Sequence, residues 1–575
     1  MARTKRGARP STTKERPGPS RQDLMKRYGA LVEERSSWIT HWRSISEYVL
    51  PRNGRYFVAD RDKGMPRHNS IYNGTATKAL RTLGAGLMAG ATSPARPWFR
   101  LSTPDPSLNR QQDVKQWLDG ESRKIMAIFA KSNTYRTLHG LYEELAAFGT
   151  GADIIMPDFN SVIHHFPLTA GEYCIAQDWR GDIVTLYRRF DRTVGEIVRE
   201  FGYDRCSPTV KSMWDNHHLD KWITLIHAVE PRYDRDPKSA LARDMPWGSY
   251  YFEESAGYRH GELLRESGFK RFPAMVPRWA TAGGDIYGNG PGMEALGDTK
   301  QLQHMTVRRA QVIDYQTQPP LRFPTALKDR DVDTLPGGRT FFDGQQSIES
   351  LWKVEANLQH HILVEKEIEQ RIRDAYFADL FLMISGQEKD MTATEVAQRS
   401  EEKLLMLGPT ISRLHSEMLE PMVEFTFETM VERGLVSPPP PSMHGVPLNI
   451  EFISMLAQAQ QAIECNSIDR FVIRLGEIAA IKPDVLDKLN GDAWVDIYAD
   501  RLGISPELVV ADKNVAFIRN ARAKAQAAQE QAAALETASK ATKNLAGSPT
   551  SGDPNALTDV MGQLTGYNSP SAYAL

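Results

Sequence analysis

The sequence predicts an α+β protein that is mainly helical. Apolar residues recur at the spacing of helices over most of the first 150 residues and again beyond residue 297. Between these parts, residues 151–278 carry short β-branched and aromatic runs separated by Pro, Asn and Gly, which is the pattern of antiparallel strands. The chain has 575 residues, so we expect it to divide into about three or four domains.

The N-terminal helices follow from apolar spacing and from the residues that stop it. One helix is predicted over residues 23–50, where Pro51 ends the pattern, and others over 70–88, 113–130 and 134–148, the last ended by Gly149. Residues 1–21 contain Arg, Lys, Pro, Gly and Ser with almost nothing apolar, so we expect a disordered basic arm.

The second half of the chain is predicted to be helical again. Its expected helices cover residues 298–317, 357–381, 392–407, 409–433, 450–466 and 469–480. The insert between the first two is rich in Pro, Gly and charge. Residues 518–545 consist mostly of Ala, Gln, Lys and Glu, which predicts a lightly packed helix at an assembly surface, followed by a flexible tail over 546–575. A short helix is also expected at 193–201 inside the strand-rich region.

Composition limits the function classes. Lys and Arg number 70 against 72 Asp and Glu, a net charge of −2, which argues against broad neutralisation of nucleic-acid phosphates. The three cysteines, Cys174, Cys206 and Cys465, are far apart and suggest neither a disulfide framework nor a zinc site. No apolar run has the length of a membrane span, and no signal peptide is visible.

The stretch "GMEALGDTK" from Gly292 to Lys300 nearly spells a phosphate-binding loop. That loop needs Lys directly after its second Gly, and here Asp298 stands in that place and would repel phosphate. We therefore interpret the stretch as the entrance to a long helix, with Asp298 as its N-cap and Gln301 completing a pair that resembles a capping box.

Histidine pairs occur at 164–165, 217–218 and 360–361. Adjacent side chains point to different faces of a strand or helix, so no pair chelates a metal alone, and structural or surface roles are favoured. Motifs of metalloproteases, serine hydrolases or cysteine nucleophiles are absent from the sequence. We predict no catalytic residue, no metal and no cofactor.

The segment "MISGQEKDMTATEVAQRSEEKLLMLGP" places a charged loop ahead of a well-defined helix start. Thr392 with Glu395 three residues later forms a predicted capping box. Gly408 and Pro409 are expected to break or kink the helix that continues to Arg433. Periodicity alone favours a simple loop between two core helices.

Three stretches carry a family resemblance: "YNGTATKALRTLGAGLMAGATSPARPWFRL", "DIYGNGPGMEALGDTKQLQHM" and "MTATEVAQRSEEKLLMLGPTISRLHSEMLEPM". Together they resemble the portal, or head-to-tail connector, proteins of short-tailed (podovirus-type) bacteriophages, in order from about Leu24 to Val436. The resemblance implies a twelve-subunit ring at one capsid vertex, through which terminase drives double-stranded DNA and to which the tail attaches.

The same resemblance implies a portal fold with wing, stem, clip and crown. Its implied boundaries are 22–297 for the wing, with the β-rich part at 151–278, 298–318 for the first stem helix, 319–346 for the clip, 357–381 for the second stem helix, 385–390 for the tunnel loop, 392–434 for a kinked wing helix and 448–545 for the crown.

Candidate site residues follow from that layout. The tunnel-loop candidates facing DNA are Ser385, Gln387, Glu388, Lys389 and Asp390. The clip candidates for docking partners are Lys328, Arg330, Asp331 and Arg339. A ring of mixed charges offers DNA weak, alternating contacts, which suits a channel that must let it slide.

The implied partners are other copies of the chain in a homo-dodecamer, the major capsid and scaffold proteins, the terminase large subunit, tail adaptor or nozzle proteins, and passing DNA, with no membrane. The implied location is the head-tail junction of the virion, after assembly in the host bacterial cytoplasm. Two other classes stay open on sequence: a scaffold or internal core protein of the virion, and a nucleotide-binding enzyme.

Overall fold

Helices and antiparallel sheets share the chain, as their sequence patterns predict. The computed structural model describes residues 18–56, 67, 69–109, 111–239, 241–254, 263–323, 325, 328, 348–350, 358–384, 406–453, 472–478, 482, 490–495, 510 and 512–546. The main α-helices are α1 (Arg21–Tyr48), α2 (Thr75–Ala91), α3 (Pro106–Asn109), α4 (Gln112–Lys131), α5 (Thr134–Phe148), α6 (Val194–Phe201), α7 (Pro208–Asp215), α8 (Pro291–Glu294), α9 (Leu296–Thr317), α10 (Leu358–Ala375), α11 (Ala378–Ile384), α12 (Glu420–Glu432) and α13 (Asp512–Ala546).

The strands pair in antiparallel order wherever a register is defined. They are β1 (Phe99–Ser102), β2 (Ala152–Asp158), β3 (Val162–Leu168), β4 (Tyr173–Gln177), β5 (Ile183–Thr193), β6 (Trp222–Pro231), β7 (Trp247–Glu253), β8 (Arg265–Phe269), β9 (Ala274–Met275), β10 (Leu321–Arg322), β11 (Glu349–Ser350) and β12 (Asn449–Phe452). The sheets have the orders β4-β5-β6-β7-β8, β3-β2-β9, β1-β12 and β10-β11.

The chain consists of two compact units. The larger comprises 1–104 and 117–489, and the smaller comprises 105–116 and 490–575. In the smaller unit α13 begins six residues before the predicted start at 518, and its described side chains are almost all exposed. Arg519 pairs with Asp492 at 2.6 Å within this unit. The exposure fits a helix rich in Ala, Gln, Lys and Glu, which has little apolar surface to bury.

The five-stranded sheet of the larger unit is covered on both faces. Helix α1 packs Leu24 and Leu31 against Tyr187 and other buried residues of one face. Helices α6 and α7 contribute Ile197 and Val210 to the buried cluster of the other face. The alternation of side chains along each strand is what lets one sheet serve two cores. Helix α7 was not expected from the sequence; Ser207 caps it and Pro208 begins it.

The first helix starts earlier than the sequence suggests. Ser20 accepts a hydrogen bond from the amide of Asp23 and so caps α1. Arg21, the last residue of the predicted disordered arm, is buried and donates to the carbonyl oxygen of Glu253 at 2.8 Å. The prediction of disorder is therefore wrong for Arg21, because a distant backbone acceptor fixes its guanidinium. Residues 1–17 of the arm lie outside the described residues.

Three other helix predictions need correction. The predicted helix 357–381 is interrupted at Phe377, whose φ of 52° lies in the left-handed region, so α10 and α11 are separate. Residues 449–452 form strand β12 against β1 rather than the start of the predicted helix 450–466. Residues 406–414 are helical through Gly408 and Pro409, and the irregularity lies instead in a π-helical segment, His415–Leu419.

The glycine-rich run before α9 serves close backbone packing. A Cβ added at Gly292 would lie 2.2 Å from the carbonyl oxygen of Ala147, and one at Gly288 would lie 2.2 Å from that of Gly149. Gly149 ends α5 with φ of +71°. No L side chain fits these contacts, so glycine is required at both positions for the backbone segments to pack closely. This requirement explains the glycines without a phosphate-binding role.

Among the described helices, none has the length and apolarity that crossing a membrane requires. The described residues also hold no cluster of three or more His, Cys, Asp or Glu arranged to bind a metal ion.

Candidate assembly and channel site

Helices α9 and α10 form an antiparallel pair in the region that the resemblance assigns to the stem. Arg309 pairs with Glu365 at 2.6 Å, and Arg371 with Asp298 at 3.5 Å. The higher number on one helix pairs with the lower number on the other, so the two helices run in opposite directions. These ion pairs fix their relative register.

The inner half of the pair, residues 296–303 of α9 and 365–372 of α10, is packed into the larger unit. Its buried residues recur at helical spacing and are Leu296, Thr299, Leu302, Gln303, Glu365, Ile368 and Ile372. This spacing puts one face of each helix against the rest of the unit.

Gln303 anchors the inner half to the start of α2. Its Oε1 accepts from the amides of Tyr72 and Asn73 at 2.7 and 2.8 Å, and its Nε2 donates to the carbonyl oxygen of Asn73 at 2.7 Å. Asn73 in turn donates from Nδ2 to Glu369 of α10 at 2.9 Å. One short segment thus holds both helices, because it satisfies the buried amide of Gln303 on α9 and the partly buried carboxylate of Glu369 on α10.

The outer half, residues 304–317 and 358–364, has a different surface. None of its described residues is buried. Large apolar side chains are nevertheless present and exposed: Ile313 at 42%, Tyr315 at 48%, Ile362 at 38% and Leu363 at 64%. The described part of the chain leaves these side chains uncovered, as expected of helices that pack against another subunit.

The capping prediction at this site is wrong. Helix α9 begins at Leu296, its N-cap position is Ala295, and no side chain caps it. The chain is already helical from Pro291 in α8, and Ala295 keeps right-handed helical φ and ψ angles between the two helices. Asp298 therefore lies in the first turn, where its carboxylate interacts favourably with the helix dipole. Gln301 is exposed in the second turn and completes no capping box.

Most other predicted site residues lie outside the described residues. These are Ser385, Gln387, Glu388, Lys389, Asp390, Thr392, Glu395, Arg330, Asp331 and Arg339. Lys328 is exposed, and its amide donates to the carbonyl oxygen of Thr325 at 3.2 Å. The tunnel-loop and clip assignments therefore stay predictions.

Sequence reasoning missed the polar residues that hold the helix pair. Gln303 and Glu365 stand on otherwise apolar stripes, at positions where a core residue is expected. A polar residue on such a stripe indicates a buried hydrogen bond or ion pair. Its partner cannot be named from the stripe alone, because Asn73 and Gln303 are separated by 230 residues.

Comparisons with known proteins agree on the class. The family model for the bacteriophage head to tail connecting protein matches residues 21–510. A probable portal protein of Bordetella phage BPP-1 is 53% identical over 551 residues, covering 95% of this chain and 99% of that one. The portal protein of Salmonella phage epsilon15 is 39% identical over 546 residues, covering 94% and 98%.

One solved structure with a similar chain is described as the neck of an empty gene transfer agent particle, computed with C6 symmetry. Its chain is 11% identical to this one, with a TM-score of 0.35, and the match covers 76% of this chain and 95% of that one. The family match extends over most of the chain, and both phage relatives align along nearly their whole length. The chain therefore belongs to the family of bacteriophage head to tail connecting proteins.

Proposed function

We propose that twelve copies of this chain form a closed portal ring at one vertex of the capsid, through which the genome is packaged and later ejected. The observation that carries this proposal is the 53% identity, along 95% of the chain, to a probable portal protein. The role is structural rather than enzymatic, because proteins of this family connect head to tail. Packaging energy then comes from a partner protein.

The helix pair supports the ring. Its inner half is fixed to the larger unit through Gln303, and its outer half exposes Ile313, Ile362 and Leu363. Exposed apolar side chains on a firmly anchored element are costly in water and gain stability when a neighbouring copy covers them. A closed ring covers such a face in every subunit equally, because each copy meets the next in the same way.

The subdomain roles are part of the proposal. Helices α9 and α10 are the stem, the insert 319–346 is the clip that docks terminase and then tail proteins, and 385–390 is the loop that faces DNA. The helices and sheets of residues 22–297 form the wing, which meets capsid and scaffold proteins. The protein then resides at the head-tail junction of the virion, after assembly in the host cytoplasm.

Negative-stain electron microscopy of the purified protein tests this proposal. We expect rings with a central hole and twelvefold symmetry. A soluble species without a ring, under conditions that support head assembly, would favour a scaffold or core protein instead.

An Ile362→Asp variant tests the stem assignment. A carboxylate placed in an apolar subunit contact loses its hydration without a partner, so we expect folded protein that no longer closes into rings. His360→Asp is the control, since it puts the same side chain about 200° around the same helix. Circular dichroism shows whether each variant is folded. Normal rings from Ile362→Asp would place the contact elsewhere.

A further inference from the structure

A cavity of about 600 Å³ lies between strands β3 and β5 and the start of helix α5. Four arginines line it, Arg136, Arg188, Arg189 and Arg192, against two carboxylates. Both carboxylates have other interactions, and Arg189 is paired with Glu254 at 2.9 Å. Arg192 also lies 3.9 Å from Glu196. Among the lining residues themselves the arginines outnumber the carboxylates by two, so the lining carries a net positive charge.

Arg188 is the unusual member of this lining. Its side chain is more than nine-tenths buried, and its Nε has no hydrogen-bond partner among the residues that the structure describes. The polar contact described for its guanidinium is a long one, 3.5 Å from Nη2 to the hydroxyl of Tyr251. The carboxylate of Glu200 acts electrostatically on Arg188. It forms an ion pair with Arg265 instead, at 2.7 Å. Burial lowers the pKa of Arg188, which reflects the cost of keeping this charge away from water.

Two aromatic rings hold the guanidinium in place. Its Cζ lies 5.3 Å from the ring centroid of Phe166 and 4.7 Å from that of Phe190. Cation–π contacts offset part of the desolvation cost and restrict the orientation of the group. They leave its hydrogen-bond donors without a strong acceptor. A planar donor group fixed between rings is preorganised for bidentate binding of an anion.

The walls of the cavity are strand edges. Strand β3 is an edge of its sheet, with β2 as its neighbour. On one side, strand β5 pairs with β4 only as far as Arg188, which lies opposite Tyr173. On its other side, β5 stays paired with β6 as far as Thr193. Among the described strands, none pairs with residues 190–193 on the side of β4, so that side is an edge too. An unpaired edge offers backbone donors and acceptors to an extended peptide.

We propose that this cavity is a docking site for an acidic, extended segment of a partner protein, with a carboxylate bound by Arg188 and the peptide backbone along the edge of β5. The site is on the β-rich part of the chain and is separate from the helix pair, so it does not depend on the assignment of the stem.

The test uses the full-length protein and a fluorescent, N-acetylated hexaglutamate peptide, with binding followed by anisotropy. We expect saturable binding at moderate ionic strength and binding about tenfold weaker or worse in Arg188→Met, since a charge-assisted hydrogen bond is lost. A hexaglutamine peptide should bind far more weakly to the unmodified protein. Equal binding to the protein and to Arg188→Met overturns the proposal, as does the absence of binding.

Thermal unfolding without peptide separates a binding role from a structural one. Arg188→Met should keep or raise the melting temperature, because an unpaired buried charge is removed. The matched control is Arg232→Met, at the residue that follows strand β6 of the same sheet. Arg232 is also nearly buried but is paired with Glu266 at 3.1 Å and bonded to Tyr250, so its loss should lower the melting temperature. A similar drop in Arg188→Met would mean that the native protein already pairs this arginine, and would refute an open site.

Competition identifies the ligand class. Inorganic phosphate and a short DNA duplex are added to the complex of protein and hexaglutamate. We expect displacement by excess unlabelled hexaglutamate and little displacement by either competitor at equal charge concentration. Equal displacement by phosphate or by DNA would show a general anion site and contradict the assignment to an acidic peptide.

Discussion

Arg278 and Glu417 join the β-rich region to the π-helical segment before α12. The Nη2 of Arg278 donates to Oε1 of Glu417 at 2.7 Å, and the backbone amide of Arg278 donates to Oε2 at 2.8 Å. Arg278 also donates to the carbonyl oxygen of Gly181 at 2.8 Å. One carboxylate thus fixes the helix that follows the proposed tunnel loop against the sheets. π-helical turns often occur at functional positions.

We expect Glu417→Gln to destabilise the protein by roughly 2 to 4 kcal/mol, because it leaves the buried guanidinium of Arg278 without its counter-charge. Arg413→Met is the control. Arg413 contacts the same carboxylate at 3.5 Å but is more exposed, so its loss should cost less than about 1 kcal/mol. Chemical denaturation measures both. An equal loss of stability in both variants would show that the ion pair with Arg278 contributes no more than the pair with Arg413.

The glycine run makes a second prediction. Gly292→Ala should lower stability by roughly 1 to 3 kcal/mol or more, since the added methyl group meets the carbonyl oxygen of Ala147. Gly297→Ala should instead stabilise by roughly 0.5 to 1 kcal/mol, because it lies in helix α9 with open space around its Cα. Melting temperatures of the two variants should move in opposite directions. A phosphate-binding loop would require both glycines. A lower melting temperature in both variants would therefore contradict the interpretation that the run is a closely packed helix entrance.

Glu144 should make stability depend on pH. Burial raises the pKa of its carboxyl from the ordinary 4.5 to about 7, although Thr169, Asn53 and the amide of Ala170 donate hydrogen bonds to it. The folded state binds the proton more tightly than the unfolded state, so this stabilisation is complete below pH 4.5 and is lost as the pH rises through about 7. The shift corresponds to roughly 3 kcal/mol.

Glu144→Gln provides the comparison, because glutamine does not ionise. We expect the stability of the unmodified protein, relative to the variant, to fall between pH 4.5 and pH 7 and to level off above it. Melting temperatures measured across this range at constant ionic strength give the difference. A constant difference would show that Glu144 keeps one ionisation state throughout.

The proposed tunnel loop is tested by deletion of residues 387–389. We expect rings of normal size and thermal stability, with packaged DNA that is incomplete or poorly retained, because Lys389 would make screened, transient contacts with phosphates while Glu388 and Asp390 keep them weak. Lys389→Glu should share part of the defect. The amount and length of DNA in purified heads is the measurement. Full-length, stably retained DNA in both variants would mean that the loop does not face the channel.

Local signals in the sequence determined much of the secondary structure. Helix α5 occupies the predicted residues 134–148, because apolar spacing defines its face and Gly149 ends it in a left-handed conformation. Helix α6 starts at the capping box of Thr193 and Glu196. The antiparallel strands between residues 152 and 275 follow their β-branched and aromatic runs. Hydrogen bonds and side-chain spacing within a few residues are enough to specify such elements.

The resemblance to portal proteins also came from the sequence by itself, because three unusual stretches in a fixed order identify a family without any coordinates. The family match over residues 21–510 confirms it. The capping role that the sequence suggested for Asp298 and Gln301 is wrong, because the chain is already helical before Leu296.

Tertiary structure alone decided the contacts between distant residues. Strand β12 pairs with β1, and Glu451 meets Arg100 across 351 positions, which turned a predicted helix start into a strand. The segment around Asn73 selected Gln303 as the anchor of the helix pair. Packing also buried Arg188 and left its Nε without a hydrogen-bond partner in the described part of the chain. Such outcomes depend on which groups lose contact with water together, and that is fixed by packing between segments far apart in the chain rather than by local pattern.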